Sequence, residues 1–313
     1  MSATANTAIQ AFDQRDNEKA HRIRLLCAYG VAITLLCALA VYGFNYYGLA
    51  AADRPFSPKH AMLKPSGVIG LRLGFLGFAM FVVIFLYPLR KSWKWLLQKG
   101  NSRHWLDFHV LLGLAAPFVI AFHSAFKFRG FAGMAFWIMV AVSVSGVIGR
   151  YLYGQIPRNL KAAELQLNEL QERQMALSRN LAAKKLLPES GLRELLRLPS
   201  VRTVQQLFMP IALAYMMALD VMRPFRVAAI RRHALGWGAC FTTFGGFLPS
   251  RHSSLEQVLR TARQEASLAK RILFLSRSQQ VFHLWHVVHK PFSYTFALLA
   301  LVHIVVVSMM GYF

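Results

Sequence analysis

Five long apolar runs constrain this chain more than any other feature. They cover residues 25–48, 67–89, 108–126 and 131–153, and a fifth runs from about 281 to 313. About 20 apolar residues in a helix cross the roughly 30 Å hydrocarbon layer of a bilayer. Hydrophobic residues make up 56% of the 313, too many for an ordinary soluble domain. The fold class that follows is an all-α membrane protein with about five transmembrane helices. Residues 1–24 mix acids and bases, and the run after them is longer than a signal-peptide core, so 25–48 is expected to stay as a span.

The formal charge is +23, and its distribution orients the spans. Four Lys/Arg precede the first run, five lie in 90–103 and twenty in 150–277. The alternating stretches hold three (Arg54, Lys59, Lys64) and two (Lys127, Arg129). Positive charge collects on the cytoplasmic side of membrane proteins. The N-terminus, the 90–107 loop and the 154–280 segment are therefore expected there, with the C-terminus on the opposite side. The same asymmetry accounts for the basic residues without nucleic acid. The surplus on 154–280 suits anionic membrane lipid or an acidic protein partner.

Residues 154–280 form an insertion between the fourth and fifth spans. "NLKAAELQLNELQERQMALSRNLAAKK" (159–185) has helical periodicity, with Leu160, Leu167, Leu170, Leu177 and Leu181 near one face, and "LPESG" (187–191) ends it. A second helix is expected from Ser254 to about Gln280, capped by Ser254 with Gln257 three positions on. Between them, 207–222 and 234–248 are apolar but short. Pro210 and Asp220 break the first, and several glycines the second. Interfacial or buried helices are expected there rather than a transmembrane hairpin.

Two of the spans carry paired histidines. "FHVLLGLAAPFVIAFH" (108–123) contains His109 and His123, and "WHVVHKPFSYTFALLALVH" (285–303) contains His289 and His303. Both pairs are fourteen residues apart. Fourteen residues are almost four helical turns, so each pair shares a face within about 40° and is separated by about 21 Å along the axis. The predicted topology runs the third and fifth spans in the same direction. His109 and His289 then share the cytoplasmic level, and His123 and His303 the opposite level.

One intramembrane histidine serves equally well in packing, as a proton relay or as a ligand for a transported metal. Two matched pairs at matched depths point to axial ligation of two haem irons. Imidazole is neutral and stays bound in both oxidation states, and its second nitrogen is fixed by a hydrogen bond. The chain has three cysteines, Cys27, Cys37 and Cys240, in no CxxC or CxxCH pattern. That excludes covalent haem attachment and a four-cysteine iron–sulfur cluster in this sequence, which makes haem b the expected cofactor, two per chain. No GxGxxG or GxxxxGK[ST] nucleotide motif occurs. The alternative is a histidine-based proton or metal transporter, against which the segments between the paired histidines are nearly wholly apolar.

The H-x13-H spacing on two parallel spans resembles the di-haem core of cytochrome b in quinol–cytochrome c reductases. It is also similar to the membrane domains of ferric reductases and NADPH oxidases. "HKP" (289–291) is similar to the histidine closely followed by proline that opens the second ligand helix of such cytochromes. The PEWY tetrapeptide of the first family is absent. The resemblance covers the second to fifth spans. It implies a haem-binding helix bundle with His109, His123, His289 and His303 as axial ligands. It also implies transmembrane electron transfer between a cytoplasmic redox partner and quinone or a carrier on the far face. With no flavin or nicotinamide motif of its own, the chain is expected to act as the membrane cytochrome b subunit of an oxidoreductase.

Several residues could support these ligands. His286 rivals His289, although on a straight helix it is about 100° out of phase with His303. Arg150 and Lys290 lie at the level of the cytoplasmic haem and could bind its propionates. Arg72, Lys127 and Arg129 lie at the other level, and every one of these cations is as readily a headgroup anchor. Gly67, Gly70, Gly74 and Gly77 fall within about 80° on the second span, a stripe suited to helix packing or to a porphyrin face. Gly113 and Pro117 on the third span offer room for a macrocycle and a bend. His104 and His283 read as interfacial, and His21, His60, His233 and His252 receive no role.

Overall fold

The computed structural model describes residues 2–90, 92–98, 100–157, 159–182, 196–235 and 243–311. Among these residues the structure is helix and connecting turn, with no strand. The long helices are α1 (Ser2–Tyr47), α2 (Val68–Arg90), α3 (Ser102–His123), α4 (Gly130–Gln155), α5 (Leu160–Ala182), α6 (Met209–Leu235), α7 (Ser253–Leu273) and α8 (Leu275–Met309). Five are long and apolar enough to cross a bilayer: α1 from Asn17, α2 with its lead-in from His60, α3, α4 and α8. The protein is a multi-pass all-α membrane protein. The chain forms two compact units, one from Met1–Ile148 with Val288–Phe313 and one from Gly149–Val287.

In the first unit, α2 and α3 pack closely, and α1 joins them against α3. Gly77 on α2 leaves the space that the Ile120 side chain fills. Gly67 and Gly70 face backbone instead, where a Cβ would run into the carbonyls of Ala61 and Lys64. The glycine stripe therefore packs helix and turn.

Two arginines of the loops are buried inside the protein. Arg54 donates to the carbonyls of Leu49 at 3.1 Å, Tyr47 at 3.0 Å and Ala125 at 2.5 Å. Ala125 and Phe126 have φ of 48° and 59°, a left-handed conformation that costs non-glycine residues energy. By gripping Ala125, Arg54 holds the turn that follows His123. Arg90 does the same work at the other end, donating to the carbonyls of Leu96, Leu97 and Gly100 and to Ser102. In the sequence Arg90 falls in a basic stretch and Arg54 in a sparse one, yet both close the ends of the bundle.

In the second unit, α7 packs on α5 and α6. Leu255, Val258, Leu259 and Ala262 repeat at three and four residues and bury against Val227 and Ile230 of α6. The expected cap at Ser254 does not form. His252 occupies the N-cap position without a side-chain bond, and Glu256 turns to Arg231 instead. The expected helix to Gln280 stops at Leu273. Phe274 (φ −92°, ψ 6°) is buried and makes the corner, so the helix of the fifth span begins at Leu275. Residues 209–235 form one helix and are not broken at Pro210 or Asp220. Pro210 sits in the first turn, where a missing N–H costs nothing, and Asp220 is neutralised by Lys270 and Arg223. "LPESG", Cys240 and part of 234–248 lie outside the described residues.

Candidate functional site

Side-chain contacts fix how α3 and α8 align. Down α2, Gly70 and Gly74 meet His123, Gly77 meets Ile120 and Ile84 meets His109, so α2 and α3 are antiparallel. Phe81 lies 4.6 Å from Phe296, and Phe85 lies 6.3 Å from Tyr294, so α2 and α8 are also antiparallel. The helices α3 and α8 therefore run in parallel. Ala116, midway between His109 and His123, shares one buried cluster with Phe296, midway between His289 and His303. At one end of this register His303 comes within electrostatic reach of His123. Parallel alignment then puts His109 and His289 at the other end. Among the described residues, α8 makes no close backbone packing with α3 like that of α2 with α3. It reaches the bundle through large side chains such as Phe296.

Three of the four imidazoles are anchored through Nδ1. His109 Nδ1–H donates to the Ile84 carbonyl at 3.1 Å, with the Tyr87 ring 5.1 Å away. Ile84 is four residues before Pro88, which has no N–H to offer it. The proline thus frees the carbonyl that orients the histidine. Pro117 acts alike on α3, where the Ser143 hydroxyl takes the Gly113 carbonyl at 2.8 Å. His123 Nδ1–H donates to the Gly70 carbonyl at 2.8 Å. A Cβ on Gly74 would lie 2.7 Å from His123 Cε1, so this glycine is the seat of the ring. His289 Nδ1 lies 2.7 Å from Ser145 Oγ. The same hydroxyl lies 2.8 Å from the Val142 carbonyl, to which it can donate.

The two carbonyl bonds decide the tautomer of His109 and His123. A carbonyl only accepts, so Nδ1 carries the proton and Nε2 keeps its lone pair. His109 and His123 each keep Nε2 as a potential ligand nitrogen, with the second nitrogen held in the way metal-bound histidines are held. Imidazole nitrogens are donors that a transition-metal ion takes. A Cβ at Gly113, one turn from His109, would meet nothing within 4 Å.

The remaining candidates divide. His286 sits against Phe282 and Trp285, at 5.0 and 4.9 Å between ring centres. Lys290 is exposed, and Arg150 is half-buried and engaged in an interaction. Arg72, Lys127 and Arg129 are exposed. Sequence reading missed a buried group where α1 meets the start of α3. His21 Nε2 lies 3.1 Å from Asp107 Oδ2, and its ring stacks on His104 at 3.6 Å. His60, also given no role, bonds Tyr46 OH through Nδ1 at 3.1 Å. The chain matches no protein-family model, no curated protein and no solved structure.

Proposed function

We propose that the protein carries electrons across the membrane on two b-type haems. His109 and His289 would hold one, and His123 and His303 the other. The observation that carries this reading is the set of matched histidines on parallel helices, three of them held through Nδ1. Haem iron supplies a one-electron couple that bis-imidazole ligation supports in both states. The chain supplies orientation and insulation. Ile84, Gly70 and Ser145 fix the rings, and the buried cluster of Met80, Val119, Met139 and Phe296 keeps water from the space between the levels. That apolar cluster also disfavours the proton or metal transporter, which needs polar groups between the levels. Lys290 and Arg150 would serve propionates at the cytoplasmic level. A cytoplasmic redox partner would dock on the basic 154–280 segment, and quinone or a carrier would exchange electrons at the far face. The N-terminus would be cytoplasmic, as the charge asymmetry directs.

The test is the reduced-minus-oxidised spectrum of the full chain purified in detergent, with haem quantified per chain. Two b-type haems per chain are expected. A colourless protein from cells supplied with haem would overturn the reading. Pro88→Ala restores a helix N–H that competes for the Ile84 carbonyl, and Ser145→Ala removes the hydroxyl bonded to His289. Each is expected to shift the midpoint potential of one haem and weaken its retention about 10–100-fold, leaving the second haem unchanged. Unaltered potentials in both variants would show that neither bond positions a ligand.

A further inference from the structure

A second site lies in the unit of residues 149–287. Asp220, near the middle of α6, is surrounded by cations. Lys270, 1% exposed, binds its Oδ2, and Arg223 approaches Oδ1 at 3.2 Å. The Tyr151 hydroxyl also donates to Oδ2, at 2.7 Å. Arg263 and Arg271 add their charges to the same cluster. Arg271 Nε is buried and has no hydrogen-bond partner. Of the other acids of α6 and α7, Glu256 is paired with Arg231, and the buried Glu265 is not among the charges acting on Arg223 and Lys270. One carboxylate therefore faces four cations, one of which holds an unsatisfied buried donor.

The cluster draws on the ends of two helices long and apolar enough to span a bilayer. Tyr151 is four residues from the end of the spanning helix α4, and Arg271 is four residues before the spanning helix α8 begins. Charged groups at that depth meet lipid headgroups. The first turns of α6 lie beside the same segments, since Ala212 and Met216 pack against Leu152 of α4 and Ser278 and Val281 of α8. On the outer face of those turns Phe208, Ile211 and Tyr215 stay bare, at 69%, 54% and 41% exposure.

We propose that this is a binding site for one anionic phospholipid. Its phosphate is held by Arg223, Arg263 and Arg271, and its acyl chains lie along Phe208, Ile211 and Tyr215. A net negative headgroup is required because a zwitterionic one leaves the surplus cations uncompensated. The bare apolar face on the N-terminal turns of the same helix favours a lipid over an acidic protein. The site does not depend on haem.

The experiment is native mass spectrometry of the full chain, delipidated in detergent. Phosphatidylglycerol and phosphatidylcholine with identical acyl chains are titrated, with inorganic phosphate and polyglutamate as competitors. Preferential retention of one phosphatidylglycerol is expected, unaffected by millimolar phosphate or by polyglutamate. The pair R263Q/R271Q should weaken that retention about tenfold or more, with helix content unchanged. R232Q, an exposed charge at the far end of α6, should not weaken it. Equal retention of both lipids, an equal loss in R232Q, or displacement by phosphate or polyglutamate would each overturn the proposal. The last two outcomes would point to a free-phosphate site or a protein-docking site.

Discussion

On the proposed di-haem reading, alanine in place of His123 or His303 is expected to leave the purified protein with one haem per chain instead of two. These residues share one level of the parallel register, and a bis-imidazole site does not survive loss of one ligand inside a bilayer. Alanine at His109 or His289 should empty the other level, and the two single-haem proteins should differ in spectrum and potential. The stronger form of the prediction leaves every ligand in place. A side chain at Gly74 would press on the His123 ring from 2.7 Å and displace it from the Gly70 carbonyl. Gly74→Val should therefore lose the same haem as His123→Ala. Gly30→Val is the matched control, because a Cβ there meets nothing within 4 Å. If Gly74→Val retained both haems with unchanged potentials, the seat assigned to His123 would be wrong. If all four histidine variants kept two haems, the ligand set itself would be wrong.

The spans and the histidine register could be read in the sequence because both follow from one-dimensional rules. Length and hydropathy give the helices, and a fourteen-residue spacing gives a shared face. What holds the rings could not be read so directly. The partner of His109 is a main-chain carbonyl twenty-five residues away, on another helix. A signal for it exists in Pro88, which must leave the Ile84 carbonyl open, but no spacing rule says which side chain takes it. The seat of His123 was visible only as a glycine stripe, which helix packing explains equally well. Arg54 and Arg90 were hidden by the charge count, which they enter by position alone while acting as buried clasps. The group of His21, His104 and Asp107 was missed because α1 is helical well before its apolar run starts, which carries His21 to the start of α3. The corner at Phe274 has neither glycine nor proline to announce it.

The largest stability effect is expected at Arg231 and Glu256, which join α6 to α7. Their side chains are 6% and 10% exposed and meet in a bidentate pair, Nε to Oε1 and Nη2 to Oε2, both at 2.7 Å. Arg231 Nη1 also donates to the Gly246 carbonyl at 2.8 Å and the Phe247 carbonyl at 3.2 Å. Glu256 Oε1 accepts from Ser250 N at 2.9 Å and Ser250 Oγ at 3.1 Å. Removing one partner leaves the other as a buried, unpaired charge, which costs about 3–5 kcal/mol. Arg231→Met or Glu256→Leu alone should therefore greatly speed hydrogen exchange across 253–273 in the full-length protein. The double substitution should restore most of the protection, because a well-packed apolar pair often matches a buried ion pair. Acid should act in the same direction as the single variants. Burial by itself would raise the Glu256 carboxyl, but the hydrogen bonds from Arg231 and Ser250 hold it below its ordinary 4.5. A carboxyl whose pKa falls on folding stabilises fully above its unfolded value, and that contribution is lost as pH drops through the folded value. Protection of 253–273, corrected for intrinsic exchange, should therefore fall as pH is lowered from 4.5 through that depressed value. In the double variant that acid-sensitive part should disappear. A double variant as unprotected as either single one would mean that the pair's hydrogen bonds to the 246–250 turn, rather than its charges, hold α7 to α6.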